Sequence, residues 1–263
     1  MKAVKDHIVH WLNDYLQKSG LKGFVVGVSG GIDSAVTSAL AAHTGQPVLC
    51  IDMPIHQAQD QRSRGRMHTD QLVERFKNVS AITVDLTEEF ESFRQNLPPT
   101  YGQVDTKMAL ANTRARLRMT TLYYYAAAHR YLVCGTGNKV EDFGVGFYTK
   151  YGDGGVDLSP IADLMKTEVF ALGKYLGVSQ EILDAPPTDG LWSDNRSDVD
   201  QIGATYPELE WAMRQYEKGA QANDFEGREK EVFQIFKKFH NQNRHKMDPI
   251  PVCEIPVELK TEG

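Results

Sequence analysis

The chain predicts an α/β fold, a doubly wound, mostly parallel sheet flanked by helices, and two observations carry that prediction. Short apolar, β-branched runs alternate with longer helical patterns, the signature of successive strand–helix–strand units. Both glycine-rich stretches, at 29–34 and 135–155, directly follow such runs. Open parallel sheets bind ligands there, beyond the carboxyl ends of their strands. A length of 263 residues can bury a full core and is compatible with one domain spanning 1–263.

Taken in order, Ile8, Trp11, Leu12, Tyr15 and Leu16 recur at helical spacing, and Gly20 ends that first helix. Phe24–Val28 reads as the first strand and Val48–Met53 as the second. Residues 57–77 read as a helix, Ala81–Val84 as a third strand, and 86–94 as a short helix. Pro98 and Pro99 break the chain ahead of a long helix from about Asp105 to His129. Its Met108, Ala111, Ala115, Met119, Leu122 and Ala126 form one apolar stripe. Arg116 shares a different face with Asn112 and Tyr123, whereas Arg114 and Arg118 point elsewhere and read as solvated. Tyr131–Gly135 is the fourth strand. Ser159 and Pro160 suit the N-cap and first position of a helix running through Leu176. Residues 186–198 are turn-rich and expected to be mobile. The remainder reads as helical, stopped near Lys246 by Pro249 and Pro251.

Hydrophobic content of 41% and charged content of 24% are those of a soluble globular chain. The net charge of −6 argues against a broad nucleic-acid surface. An anionic ligand must then be held by local Lys and Arg. Cys50, Cys134 and Cys253 are odd in number and lack CxxC spacing, which indicates neither a disulfide framework nor a zinc site. Cys50 and Cys134 end apolar runs and read as buried strand residues. His7 and His10 lie one helical turn apart but lack a third ligand. No segment reaches membrane-spanning length, and the amphipathic N-terminus lacks the apolar core of a signal peptide. The expected address is the cytoplasm, with no membrane partner.

Behind the first strand stands Ser29-Gly30-Gly31-Ile32-Asp33-Ser34, followed by the helical run Ala35–Ala42. A strand, a glycine turn and a helix N-terminus aim backbone N–H groups at one spot, which makes an anion site. Gly30 and Gly31 remove the Cβ atoms that would block a close phosphate. The lysine of GxxxxGK[ST] is absent, so the loop is no Walker A motif. An ordinary βα turn, with Ser29 or Asp33 as helix N-cap, is the alternative. The six residues resemble the SGGxDS signature of the ATP pyrophosphatases, which split ATP between its α- and β-phosphates.

The second stretch runs Gly135-Thr-Gly-Asn-Lys-Val-Glu-Asp-Phe-Gly-Val-Gly-Phe-Tyr-Thr-Lys-Tyr-Gly-Asp-Gly-Gly-Val-Asp157. With the loop and Arg114-Ala-Arg116, it resembles the ammonia-dependent NAD synthetases over about residues 22–252. That resemblance implies a Rossmann-like fold of the adenine nucleotide alpha hydrolase type. It also implies ATP-dependent amidation of deamido-NAD with ammonia through an acyl-adenylate, giving NAD, AMP and pyrophosphate. Such chemistry calls for cations and amide donors placed beforehand rather than a nucleophilic side chain.

By the same resemblance Gly27, Val28, Ser29, Gly30, Gly31, Ile32, Asp33 and Ser34 hold ATP phosphates, with Thr136, Lys166 and Thr188 also contacting ATP. Asp33 and Glu141 ligate Mg²⁺, the less favoured alternative for Glu141 being a solvated loop carboxylate. Arg116, Lys150, Asp157, His245 and Lys246 bind deamido-NAD. The family form continues His-Lys with arginine where this chain has Met247. Asp153 orients or deprotonates ammonium, unless it is a plain Asp-Gly turn residue. Lys166 lies off the stripe of Leu164, Met165, Val169 and Leu172. Periodicity alone makes it a solvated lysine, and only the motif makes it a phosphate ligand and catalytic residue. Related enzymes are homodimers with substrate between subunits, so Tyr123–Tyr125 would pack locally or across that interface, and some of these residues would serve the partner's site.

Three other functions fit the sequence less well. A NAD-dependent oxidoreductase needs G-x-G-x-x-G after a strand, and neither run has that spacing. A tRNA-modifying ATP pyrophosphatase would favour basic surface and catalytic cysteines. A non-catalytic nucleotide-binding regulator would leave the carboxylates and the Lys and Arg set without purpose.

Overall fold

A computed structural model describes residues 1–56, 59–99, 105–187 and 198–260, the side chains of 59–62 excepted. Four parallel strands, β1 (Phe24–Gly27), β2 (Val48–Asp52), β3 (Val79–Thr83) and β4 (Leu132–Cys134), lie in the order β3-β2-β1-β4. Register pairs Val26 with both Cys50 and Cys134, and Val25 with both Leu49 and Val133. Because side chains alternate across a strand, these two rows face opposite ways, and each meets its own helical layer.

The Val26 row packs under α1 (Lys2–Ser19), α2 (Ile32–His43), α3 (Gln59–Arg75) and α6 (Lys166–Leu176), with Leu12, Leu40, Leu72 and Leu172 among the buried contacts. The Val25 row packs under α4 (Thr87–Asn96) and α5 (Thr106–His129), through Phe90 and Ala126. A third apolar cluster joins a π-helix, Val140–Val145, to α9 (Tyr206–Glu217) and α10 (Gly227–Met247). The described residues also form short helices α7 (Gln180–Leu183), α8 (Asp198–Ile202) and α11 (Val257–Lys260) and a 3-10 turn at Ala222–Asp224.

Most elements stand where the sequence places them. Gly20 ends α1 in the left-handed region at φ 67°, and Cys50 and Cys134 are buried strand residues. Other expectations fail. Met108 is 44% exposed, so the apolar stripe of α5 begins only at Ala111. Arg114 and Arg118 are not solvated: Arg114 lies 4.7 Å over the Phe90 ring, and Arg118 Nε donates to Met53 O at 3.0 Å. Helix α6 begins at Lys166 rather than Pro160. Residues 158–164 are occupied instead in closing the second glycine-rich stretch, with Leu158 O accepting from Gly135 N and Leu164 O from Lys139 N. The cap is Met165, whose N–H donates to Glu168 Oε2 at 2.8 Å.

Candidate active site

The loop after β1 is wound on its own side chains. Gly30 takes φ 82°, Ser34 Oγ donates to Gly31 O at 3.0 Å and accepts from Ser29 N at 3.2 Å. Gly31 is the N-cap of α2 and no side chain caps it, so Ser29 and Asp33 are not the expected capping alternative. The uncapped first turn of α2 points its N–H groups and the positive end of its dipole past the loop.

Beyond it opens a cavity of 260 Å³. Residues 27–34, Thr136, Glu141, Asp153 and Lys166 all contribute to its wall. Every nucleotide, metal and catalytic position expected from sequence therefore converges, apart from Thr188, which lies outside the described residues along with most of 186–198. A second hollow of 460 Å³ lies around Phe143 on the π-helix. Its lysine is already engaged, Lys139 lying 3.4 Å from Asp163 and 3.8 Å from Glu217. It presents no comparable turn of backbone donors.

At the centre, Lys166 is 3% exposed, and its Nζ lies 2.5 Å from Asp33 Oδ2 and 2.8 Å from Glu141 Oε1. This overturns the solvated reading that periodicity gives it. A close helix crossing makes the contact possible: a Cβ on Gly173 would stand 2.6 Å from Ile32 Cδ1, so α6 can approach α2 only with glycine there. Burial opposes the charge on Lys166, and the two carboxylates more than reverse that, holding it ammonium. Burial likewise pushes Glu141 up, but Lys166, Tyr206 and Asn138 bring it below the usual carboxylate range. Asp33, for which burial outweighs Lys166, stays above that range. Two carboxylates aimed at one positive charge form a hard, all-oxygen donor pair of the kind that holds Mg²⁺. Among the described residues, no group of three or more His, Cys, Asp or Glu is arranged to bind a metal.

Four supporting residues escaped sequence analysis. Asn138, fully buried, donates from Nδ2 to Asp33 Oδ1 at 3.1 Å and accepts from Glu141 N at 3.2 Å. It lies inside the second motif and could have been found there. Tyr206 donates to Glu141 Oε1 and lies 2.6 Å from Asp198 Oδ2. No local signal marks either residue. Asp142, beside Glu141, lines the cavity against Gly137. Burial, with Glu141, Asp153 and Asp33 nearby, pushes its carboxyl well up. Asp153 projects into the same space and accepts from Thr149 N at 3.0 Å. Burial pushes it up as well.

The expected substrate residues form a second group outside the cavity wall. Arg116 shares its face of α5 with Asn112 and Tyr123, as expected, and all three fasten the second glycine-rich stretch. Asn112 accepts from Thr149 Oγ1 at 2.7 Å, Arg116 Nη2 donates to Lys150 O at 3.3 Å, and Tyr123 donates to Asp157 Oδ1 at 3.0 Å. Asp157 Oδ2 accepts from Val133 N at 2.8 Å. From α10, Lys246 Nζ donates to Gly146 O at 2.9 Å and Tyr148 O at 2.8 Å. The main-chain oxygen of His245 accepts from Lys150 Nζ at 2.6 Å, and the His245 imidazole is exposed.

A doubly wound parallel sheet, with a glycine loop and two carboxylates gathered beyond the carboxyl ends of its strands, defines an α/β protein of the Rossmann-like class with its candidate ligand site at that edge. Residues 4–250 match the NAD synthase family model. A curated NH(3)-dependent NAD(+) synthetase from Carboxydothermus hydrogenoformans is 38% identical over 84% of this chain and 88% of its own length. One from Mannheimia succiniciproducens is 34% identical over 98% of both. The solved structure of NMN synthetase from Francisella tularensis superimposes with a TM-score of 0.81 at 32% identity, over 97% of this chain and 98% of that one. The chain belongs to the NAD synthase family, ligases that form a C–N bond.

Proposed function

We propose that the chain amidates deamido-NAD with ammonia at the expense of ATP. The observation that carries this is the Asp33–Lys166–Glu141 cluster at the mouth of the loop, in a chain of this family. The nicotinate carboxylate oxygen attacks the α-phosphorus and forms an O–P bond as the bond to the bridging oxygen breaks and pyrophosphate leaves. Ammonia nitrogen then attacks the carbonyl carbon, the C–O bond to the phosphate breaks, and AMP leaves.

Loop N–H groups and the α2 N-terminus would bind the departing phosphates. Lys166 places a fixed positive charge beside them. Asp33 and Glu141 would hold Mg²⁺, which when bound supplies further neutralisation of phosphate charge. Asp153, whose surroundings raise its proton affinity, would accept the proton that ammonium must lose before attack. Thr136 stands at the nucleotide wall, and Thr188 is assigned to ATP on the family motif alone.

Arg116, Lys150, Asp157, His245 and Lys246 would meet the dinucleotide outside the cavity, with the same groups facing a second subunit in a homodimer. Tyr124, 68% exposed on the same helix, suits such a contact. The chain would act as one catalytic domain in the cytoplasm; no described helix is long and apolar enough to cross a membrane.

Incubation with ATP, Mg²⁺, ammonium and deamido-NAD should yield AMP and NAD in equal amounts, and absence of AMP formation dependent on deamido-NAD refutes the proposal. The likeness to the Francisella NMN synthetase favours a second reading, amidation of the corresponding mononucleotide carboxylate. Assaying both carboxylates side by side separates the two.

A further inference from the structure

The nucleotide cavity is lined by more carboxylates than cations. Asp33, Glu141, Asp142, Asp153 and Asp198 face it, against Lys166, Arg64 and Arg118 among the described residues. Lys166 is shared between Asp33 and Glu141. Arg118 is anchored at the end of β2 through Met53 O. An entering triphosphate brings more negative charge to an acidic wall, so it needs a further cation beside the loop.

Arg64 stands at that place. Its neighbour Gly65 lets α3 press against the loop: a Cβ there would lie 3.3 Å from Gly30 N and 3.5 Å from Gly30 Cα. That approach sets Arg64 at the edge of the phosphate loop on a packed helix, with Nε buried and the residue forming part of the cavity wall. A guanidinium offers two parallel donors to a phosphate and keeps its charge at any working pH. We propose that Arg64 is a phosphate ligand that grips the terminal phosphates departing as pyrophosphate. It does from a separate helix what a lysine does from within a Walker A loop. The inference rests on the adenylation reaction proposed above.

Calorimetric titration of the full chain with pyrophosphate and with AMP, each with Mg²⁺, tests it on wild type, Arg64→Met and Arg64→Lys. Arg64→Met should weaken pyrophosphate binding about tenfold or more and leave AMP within about twofold, with Arg64→Lys restoring part of the loss. Unchanged pyrophosphate affinity, or equal weakening of both ligands, overturns the role of Arg64 while wild-type binding keeps the adenylation reading standing. If wild type takes up neither ligand, that reading falls and Arg64 with it.

Discussion

The Tyr206 hydroxyl stands between Glu141 and Asp198, within hydrogen-bond reach of both carboxylates. Glu141 Oε1 thereby has its direction fixed from α9 as well as by Lys166. Tyr206→Phe removes the donor without removing the ring. We expect a loss of about 1–3 kcal/mol in stability and a higher Mg²⁺ requirement for AMP formation. A Mg²⁺ titration matching wild type would show that Tyr206 does not orient Glu141.

Lys166→Met leaves Asp33 and Glu141 facing each other without their shared cation. Removing one partner of a buried ion pair costs about 3–5 kcal/mol. In this variant added Mg²⁺ should raise the melting temperature more than in wild type, because a metal restores the missing charge. AMP formation should fall by about 10²–10³-fold. Equal Mg²⁺ shifts in the two proteins would contradict the assignment of the carboxylate pair to a metal.

Gly173→Ala reverses an ordinary expectation. Glycine inside a helix is about 1 kcal/mol worse than alanine, yet here the added methyl meets Ile32 at 2.6 Å and Val36 at 3.1 Å. Overpacking of this kind costs about 1–3 kcal/mol, so net destabilisation and a raised KM for ATP should follow as α6 withdraws Lys166. Chemical denaturation decides it, since a gain in stability would mean the two helices separate without strain.

His68 sets an acid limit on stability. It is 3% exposed, its Nε2 lies 2.9 Å from Ser38 Oγ, and burial pushes it down to about 4 from 6.5. Between those values the unfolded chain binds more protons than the folded one. Stability is therefore complete above pH 6.5 and falls as pH drops toward 4, by about 3 kcal/mol at most. His68→Gln should flatten the urea midpoint across that window. Identical slopes would place the His68 titration elsewhere.

The alternating strands and the glycine loop were legible because their signals are local: period, punctuation and six consecutive residues. The centre of the site was not. Lys166 is off its helix's apolar stripe, and periodicity cannot register burial bought by ion pairs with residues 133 and 25 positions away. Among the arginines of α5, charge alone led to solvated positions, while an aromatic ring and a strand-end carbonyl hold Arg114 and Arg118 in place. Pro160 gave a sound local start signal, overridden because the backbone around it was needed to complete the second glycine-rich stretch. Asn138, Tyr206 and Asp198 support the carboxylates from three separate elements, and only the first sits in a motif.

The contact between Asp33 and Lys166 spans 133 residues. During synthesis all four strands and the phosphate loop emerge well before the cation that balances Asp33, so in a partly made chain Asp33 lacks its ion-pair partner. Closing so long a segment is slow compared with forming the helices inside it. Recovery of AMP formation after denaturant dilution should lag behind recovery of helical signal, making catalysis itself a clock for the last long-range step of folding.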